Sequence, residues 1–108
     1  MVKPVAGEIV VIAFPRTDSG KRRPAFVIAD LPGADLILCQ TTSRAHYDGF
    51  AVTLDSCDFE RGQIDQPCYI RPQRLFTLEH HLILHSLGKV TESKLEEVLK
   101  RAREFFVE

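Results

Sequence analysis

Two short segments of this 108-residue chain carry residue types suited to phosphate chemistry. The first is Lys21-Arg22-Arg23-Pro24. Three basic residues before a strand are most often a solvated turn. An arginine fixed at a strand start is also a phosphate ligand, because a guanidinium keeps its charge at any cellular pH and its fork matches two phosphate oxygens. The proline after Arg23 restricts that arginine to extended backbone, which fixes where its side chain leaves the fold. The second segment is Gln40-Thr41-Thr42-Ser43-Arg44. Hydroxyl residues at a strand end are common in any sheet. Beside Arg23, however, they would add a donor for the non-bridging oxygens of a strained phosphate, useful only if preorganised there. On a regular strand only one of Thr41 and Thr42 faces a given groove.

Other side chains could support that chemistry. Arg16, Lys21, Arg22 and Arg44 would supply a local positive field. His46 and Tyr47 follow the threonines and could stack on unpaired bases or serve as plain loop residues. Phe50 reads as core. His80, His81 and His85 resemble a metal cluster, but adjacent strand residues point to opposite faces, and His81 and His85 are too far apart to chelate one ion easily. They are read as surface or interface residues. No paired carboxylates and no His-His-Glu set point to a metal-dependent nuclease, so neither a metal nor a cofactor is expected.

The elements that must position these groups are short. Glu8–Phe14 is nearly unbroken in apolarity, which suits a strand buried on both faces and ended by Pro15. Asp18-Ser19-Gly20 is a turn. Ala25–Ala29, Asp35–Thr42, Phe50–Leu54, Cys68–Arg71 and Leu82–Leu87 read as further strands, with Pro72 closing one and Gly88 stopping the last. Asp55–Gln66 is acidic, contains Gly62, and reads as a mobile connection. The period then changes: Leu95, Val98, Leu99, Ala102, Phe105 and Phe106 recur at helical spacing after the N-cap candidate Thr91. The expectation is a mainly β chain, a small antiparallel barrel closed by one amphipathic C-terminal helix.

Length limits this to a single domain over residues 1–108, small enough to gain from burying more surface in a dimer. A net charge of −1 argues against indiscriminate coating of nucleic acid, so any polynucleotide site must be a local patch. Cys39, Cys57 and Cys68 are odd in number and form no CxxC pair, which fits free thiols in a reducing cytoplasm. No apolar run is long enough to span a membrane, and no signal peptide is read.

Together these features resemble the MazF/PemK toxin family. Gly7-Glu8-Ile-Val, Phe14-Pro15, a polar glycine-containing loop and Arg22-Arg23-Pro24-Ala25-Phe-Val-Ile look like its opening signature. Thr42-Ser43-Arg44 resembles its Thr-Ser-Gln-type segment, and Ile70-Arg71-Pro72-Gln-Arg-Leu75, Leu87-Gly88-Lys89-Val90 and the final helix are similar as well. The resemblance implies an SH3-like small β-barrel working as a homodimer. It also implies a toxin that cleaves single-stranded mRNA at selected sequences and is restrained by a cognate antitoxin protein. The family's arginine before proline falls on Arg23 and its catalytic threonine on Thr42, with Thr41 the nearest competitor and an acid/base part implied for the arginine. Arg16, Lys21, Arg22, Thr41, Ser43, Arg44, His46 and Tyr47 would then contact RNA. Gln40 and Thr41 replace the family's usual proline and aliphatic residue, Arg44 its small or amide residue, and Cys68-Tyr69 a serine-based pattern, all of which bears on which bases are preferred.

Metal-free RNA cleavage can use the neighbouring 2′-hydroxyl as nucleophile, giving a 2′,3′-cyclic phosphate and a 5′-hydroxyl. The protein must align the backbone, stabilise the extra charge and move two protons. Two other readings remain: a gyrase-poisoning toxin of the CcdB kind, which needs an exposed apolar helix end, and an SH3-like peptide-binding module, which needs an aromatic-lined groove. For the first, Phe105-Phe106-Val107 is available, although the helical stripe accounts for those residues as packing.

Overall fold

The first strand buries both of its faces, and the sheet forms around it. The computed structural model of the chain describes residues 3–13, 22–44 and 49–106. Phe14, Pro15, the turn read at Asp18-Ser19-Gly20, and Arg16, Lys21, His46 and Tyr47 lie outside them. The strands are β1 (Glu8–Ala13), β2 (Arg22–Asp30), β3 (Asp35–Thr42), β4 (Val52–Leu54), β5 (Phe59–Gly62), β6 (Cys68–Glu79) and β7 (Ile83–Val90), followed by helix α1 (Glu92–Arg103). They form one antiparallel sheet in the order β4-β6-β3-β2-β1-β7-β5.

Alternation sends the side chains of β1–β3 into two apolar clusters. Ile9, Phe26 and Cys39 join Val52, Leu54, Ile70, Val90 and the helix residue Val98. Val10, Ile12, Ala25, Val27, Leu36 and Leu38 join Ile83 of β7, with Phe76 and Leu78 of β6 packed against them. The second half of β6 and the start of β7 therefore curl over one face, while the start of β6, the end of β7 and α1 cover the other. Register shifts between β1 and β7 supply that curl, since a bulge bends a strand and raises its twist. This is the mainly β fold with one C-terminal helix that the sequence pattern predicts, and its curled antiparallel sheet fits the SH3-like small barrel that the family resemblance implies.

Helix α1 starts where expected. Thr91 is its N-cap, accepting from the Lys94 backbone N–H at 3.3 Å. Val98 and Ala102 are buried, and Lys94 lies among them because its ammonium is satisfied by the Thr53 carbonyl at 2.9 Å and the Glu97 carboxylate at 2.9 Å. The apolar stripe ends earlier than its period suggests, for Phe106 is 74% exposed.

Several boundaries differ from expectation, each for a local reason. The stretch read as a mobile connection contains a 3₁₀ turn, Ser56–Asp58, and strand β5. The Asp55 N–H donates to Asp58 Oδ2 at 2.8 Å, and the Asp58 carbonyl accepts from Thr91 N at 2.8 Å, which ties the turn to the start of α1. Pro72 does not close β6. Cys39 pairs with Leu75 and the next residue, Gln40, with Arg71, so Pro72–Arg74 bulge out and the proline's missing N–H breaks no pairing with β3. Gly88 does not stop β7 either, since the strand runs on to Val90. Phe50 is not core: it lies before β4, 42% exposed, edge-on to Phe105 with ring centroids 4.7 Å apart. His80 and His81 occupy a 3₁₀ turn rather than a strand, where His81 Nδ1 sits 3.2 Å from a Glu79 carboxylate oxygen.

Candidate functional site

Where β2 begins and β3 ends, they open a cleft of about 810 Å³ lined in part by Arg22, Arg23, Pro24, Thr41, Thr42, Ser43 and Arg44. Both segments singled out in the sequence thus meet in one place. Antiparallel pairing of β2 with β3 brings them there, through Ala25 opposite Gln40. Pro24, having no N–H, cannot carry that ladder further. Beyond it the two strands keep other partners: Arg23 and Arg22 lie opposite Ile12 and Ala13 of β1, while Thr41 and Thr42 lie opposite Ile70 and Tyr69 of β6.

The two threonines are held differently. Thr41 is 3% exposed, and its hydroxyl donates to the Pro24 carbonyl at 2.8 Å. Thr42 is half-buried, and its Oγ1 accepts the Arg44 backbone N–H at 3.2 Å. That bond occupies a lone pair on the oxygen and leaves the hydroxyl proton free to be donated. A phosphate oxygen in the cleft is a suitable acceptor for it. Arg22, Arg23, Ser43 and Arg44 are exposed at the same rim.

The rest of the lining was not legible as functional. Ile64, Asp65 and Gln66 belong to the stretch read as a mobile connection, and Cys68 and Leu87 to strands read as scaffold. The segment is brought in by a backbone crossing in which Gly62 of β5 pairs with Gly88 of β7. A Cβ on Gly62 would sit 2.1 Å from the Leu87 carbonyl oxygen, and one on Gly88 would sit 2.2 Å from that of Arg61. Gln63 N then donates to the Leu87 carbonyl at 3.2 Å, and residues 64–66 follow directly into the cleft. The glycines are visible in the sequence, but their mutual approach is not.

Charge in the cleft is predominantly positive, three arginines against Asp65, although the whole chain carries a net charge of −1. The thiol of Cys68 is pushed up to about 11, first by burial and then by the nearby Asp55 carboxylate, so at neutral pH it is protonated and poorly nucleophilic. Chemically, then, the cleft can bind a polyanion, donate hydrogen bonds to phosphate, and present the amide of Gln66 and the carboxylate of Asp65 to whatever the phosphate is attached to.

The fold recurs in known structures. MazF from Deinococcus radiodurans is 22% identical, with a TM-score of 0.76 over 98% of each chain. A MazE–MazF structure from the same organism is 23% identical, with a TM-score of 0.78 over 97% of each chain. An endoribonuclease in complex with its cognate antitoxin, from mycobacterial species, is 17% identical, with a TM-score of 0.71 over 94% of this chain and 95% of that one. No curated protein sequence matches the chain. Residues 6–106 match the family model described as the PemK-like, MazF-like toxin of type II toxin–antitoxin systems, and the chain belongs to that family.

Proposed function

We propose that this toxin is an endoribonuclease that cleaves single-stranded mRNA in the cleft at the ends of β2 and β3, without a metal. The observation that carries the reading is the meeting of Arg23 and Thr42 in one positively charged cleft. In this reading the scissile phosphate lies against both. The Arg23 guanidinium stabilises charge that builds on the non-bridging oxygens, and the Thr42 hydroxyl donates to one of them. The neighbouring 2′-hydroxyl gives up its proton as it attacks in line, the P–O5′ bond breaks, and the leaving 5′-oxygen takes up a proton, so the products are a 2′,3′-cyclic phosphate and a 5′-hydroxyl. The nucleophile is part of the substrate, so alignment and charge stabilisation are the protein's main tasks.

Arg22, Ser43 and Arg44 would hold adjacent phosphates, with Arg16 and Lys21 extending the positive field and His46 and Tyr47 available to stack on bases. Asp65 and Gln66 would meet base edges, and their amide and carboxylate chemistry suits discrimination among them. Working as a homodimer in the cytoplasm and being held in check by a cognate antitoxin are part of the same proposal. The antitoxin is supported by similar structures, one described as MazE–MazF and another as an endoribonuclease in complex with its cognate antitoxin.

Incubating wild type and Arg23→Ala with a long, sequence-diverse, unstructured RNA in EDTA, then mapping the ends, tests this directly. Discrete cuts bearing cyclic phosphates, reduced about a hundredfold or more in the variant, are expected. No cutting by wild type would sink the nuclease reading. It would favour a protein-directed toxin, for which the exposed Phe106 is the feature to pursue.

A further inference from the structure

We propose that Thr41 is a positioning residue, a side-chain clamp that keeps Arg23 and Thr42 facing one another across the split between β2 and β3. The inference rests on the nuclease reading for its catalytic consequence, and on geometry for the clamp itself. Backbone pairing between the two strands reaches Ala25–Gln40 and stops at Pro24. Past that point β2 follows β1 and β3 follows β6, so the two strand ends are carried by different neighbours. The Thr41 hydroxyl spans the gap, donating to the Pro24 carbonyl at 2.8 Å. Arg23 is one residue from one end of that bond and Thr42 one residue from the other.

Burial makes the bond persistent. Thr41 is 3% exposed, which limits the access of water to its hydroxyl and favours the Pro24 carbonyl as its partner. The same burial assigns the two threonines separate tasks. Thr42 keeps a hydroxyl proton for the substrate, whereas the proton of Thr41 is already committed within the protein. Thr41 therefore acts through its neighbours and not by touching RNA, even though its side chain forms part of the cleft wall.

The test compares wild type, Thr41→Val and Thr41→Ser. Valine keeps the shape and removes the donor, while serine restores the donor. On a short RNA with one mapped cut, Thr41→Val is expected to lower kcat by about ten- to a hundredfold, the scale of a small misplacement of catalytic groups. KM should stay within about twofold, and serine should recover most of the loss. Wild-type kcat in Thr41→Val, or a raised KM with kcat unchanged, would overturn the proposal, the second result making Thr41 an RNA contact. A serine variant as slow as valine would also overturn it, by pointing to methyl packing. If wild type cuts no RNA, the nuclease reading fails, and the clamp is decided by the ¹³C shift of the Pro24 carbonyl. That shift should move in Thr41→Val and return in Thr41→Ser; an unchanged shift in valine would remove the clamp.

Discussion

The cleft has two walls of unlike construction. One grows from the ends of β2 and β3, from Arg22–Pro24 and Thr41–Arg44, and is continuous with strands whose inner residues Phe26, Leu38 and Cys39 are buried. The other, Ile64–Gln66, runs from the crossing of Gly62 over Gly88, where Leu87 sits, to Cys68 at the start of β6, which pairs with Leu54 of β4. The first wall carries the charge and hydroxyl chemistry; the second carries a carboxylate, an amide and apolar surface. Rigid strand ends suit groups that must meet a phosphate at fixed distance, and a connecting segment suits groups that read a variable base.

Adding a methyl group at the crossing is the most drastic way to break this division. Gly88→Ala places a Cβ against the Arg61 carbonyl at a backbone φ of +147°, where an L side chain is strained. It should lower stability by about 1–3 kcal/mol in urea denaturation and abolish cleavage, because the second wall is displaced. A variant that unfolds and cuts like wild type would mean that the wall does not depend on the crossing. A milder change is Asp65→Asn, which removes the negative charge from among three arginines. Fluorescence anisotropy with a single-stranded RNA should show binding a few-fold tighter and more salt-dependent, with a shifted pattern of cuts. Unchanged affinity and unchanged sites would place Asp65 beyond the reach of RNA.

The smallest expected effect concerns the tightness of the second wall. Cys57 is exposed, whereas Cys68 lines the cleft with its thiol pushed up to about 11. Iodoacetamide at pH 8 should therefore label Cys57 in the folded protein and leave Cys68 largely unmodified, its thiolate being roughly a hundredfold scarcer than that of an ordinary cysteine. Mass spectrometry of tryptic peptides reads the ratio. Rapid alkylation of Cys68 would show that the wall opens often enough to expose it, and would weaken the comparison between a rigid and a held segment.

Much of the scaffold could be read directly. Strand β3 spans Asp35–Thr42 as its composition indicates, and α1 begins after Thr91 because a capping hydroxyl and an apolar stripe are local signals. Punctuation by proline and glycine misled where a tertiary contact gave those residues another task. Pro72 sits in a bulge of β6, and Gly88 is a crossing point inside β7. Phe50 reads as core from its alternation with Val52 and Leu54, yet packs on Phe105 at the surface, because its strand starts only at Val52.

By itself the sequence determined which residues could meet a phosphate, since charge, hydroxyl chemistry and the restriction before proline are properties of Arg23 and Thr42 wherever they lie. It also determined the alternation and helical period that make a small barrel with one covering helix. Tertiary structure decided which threonine keeps a free proton, because the burial of Thr41 and the carbonyl it reaches depend on how β2 and β3 part at Pro24. It decided the second wall as well. Asp65 and Gln66 enter the cleft through the close approach of two glycines more than twenty residues apart in the chain, and no local pattern encodes such a contact.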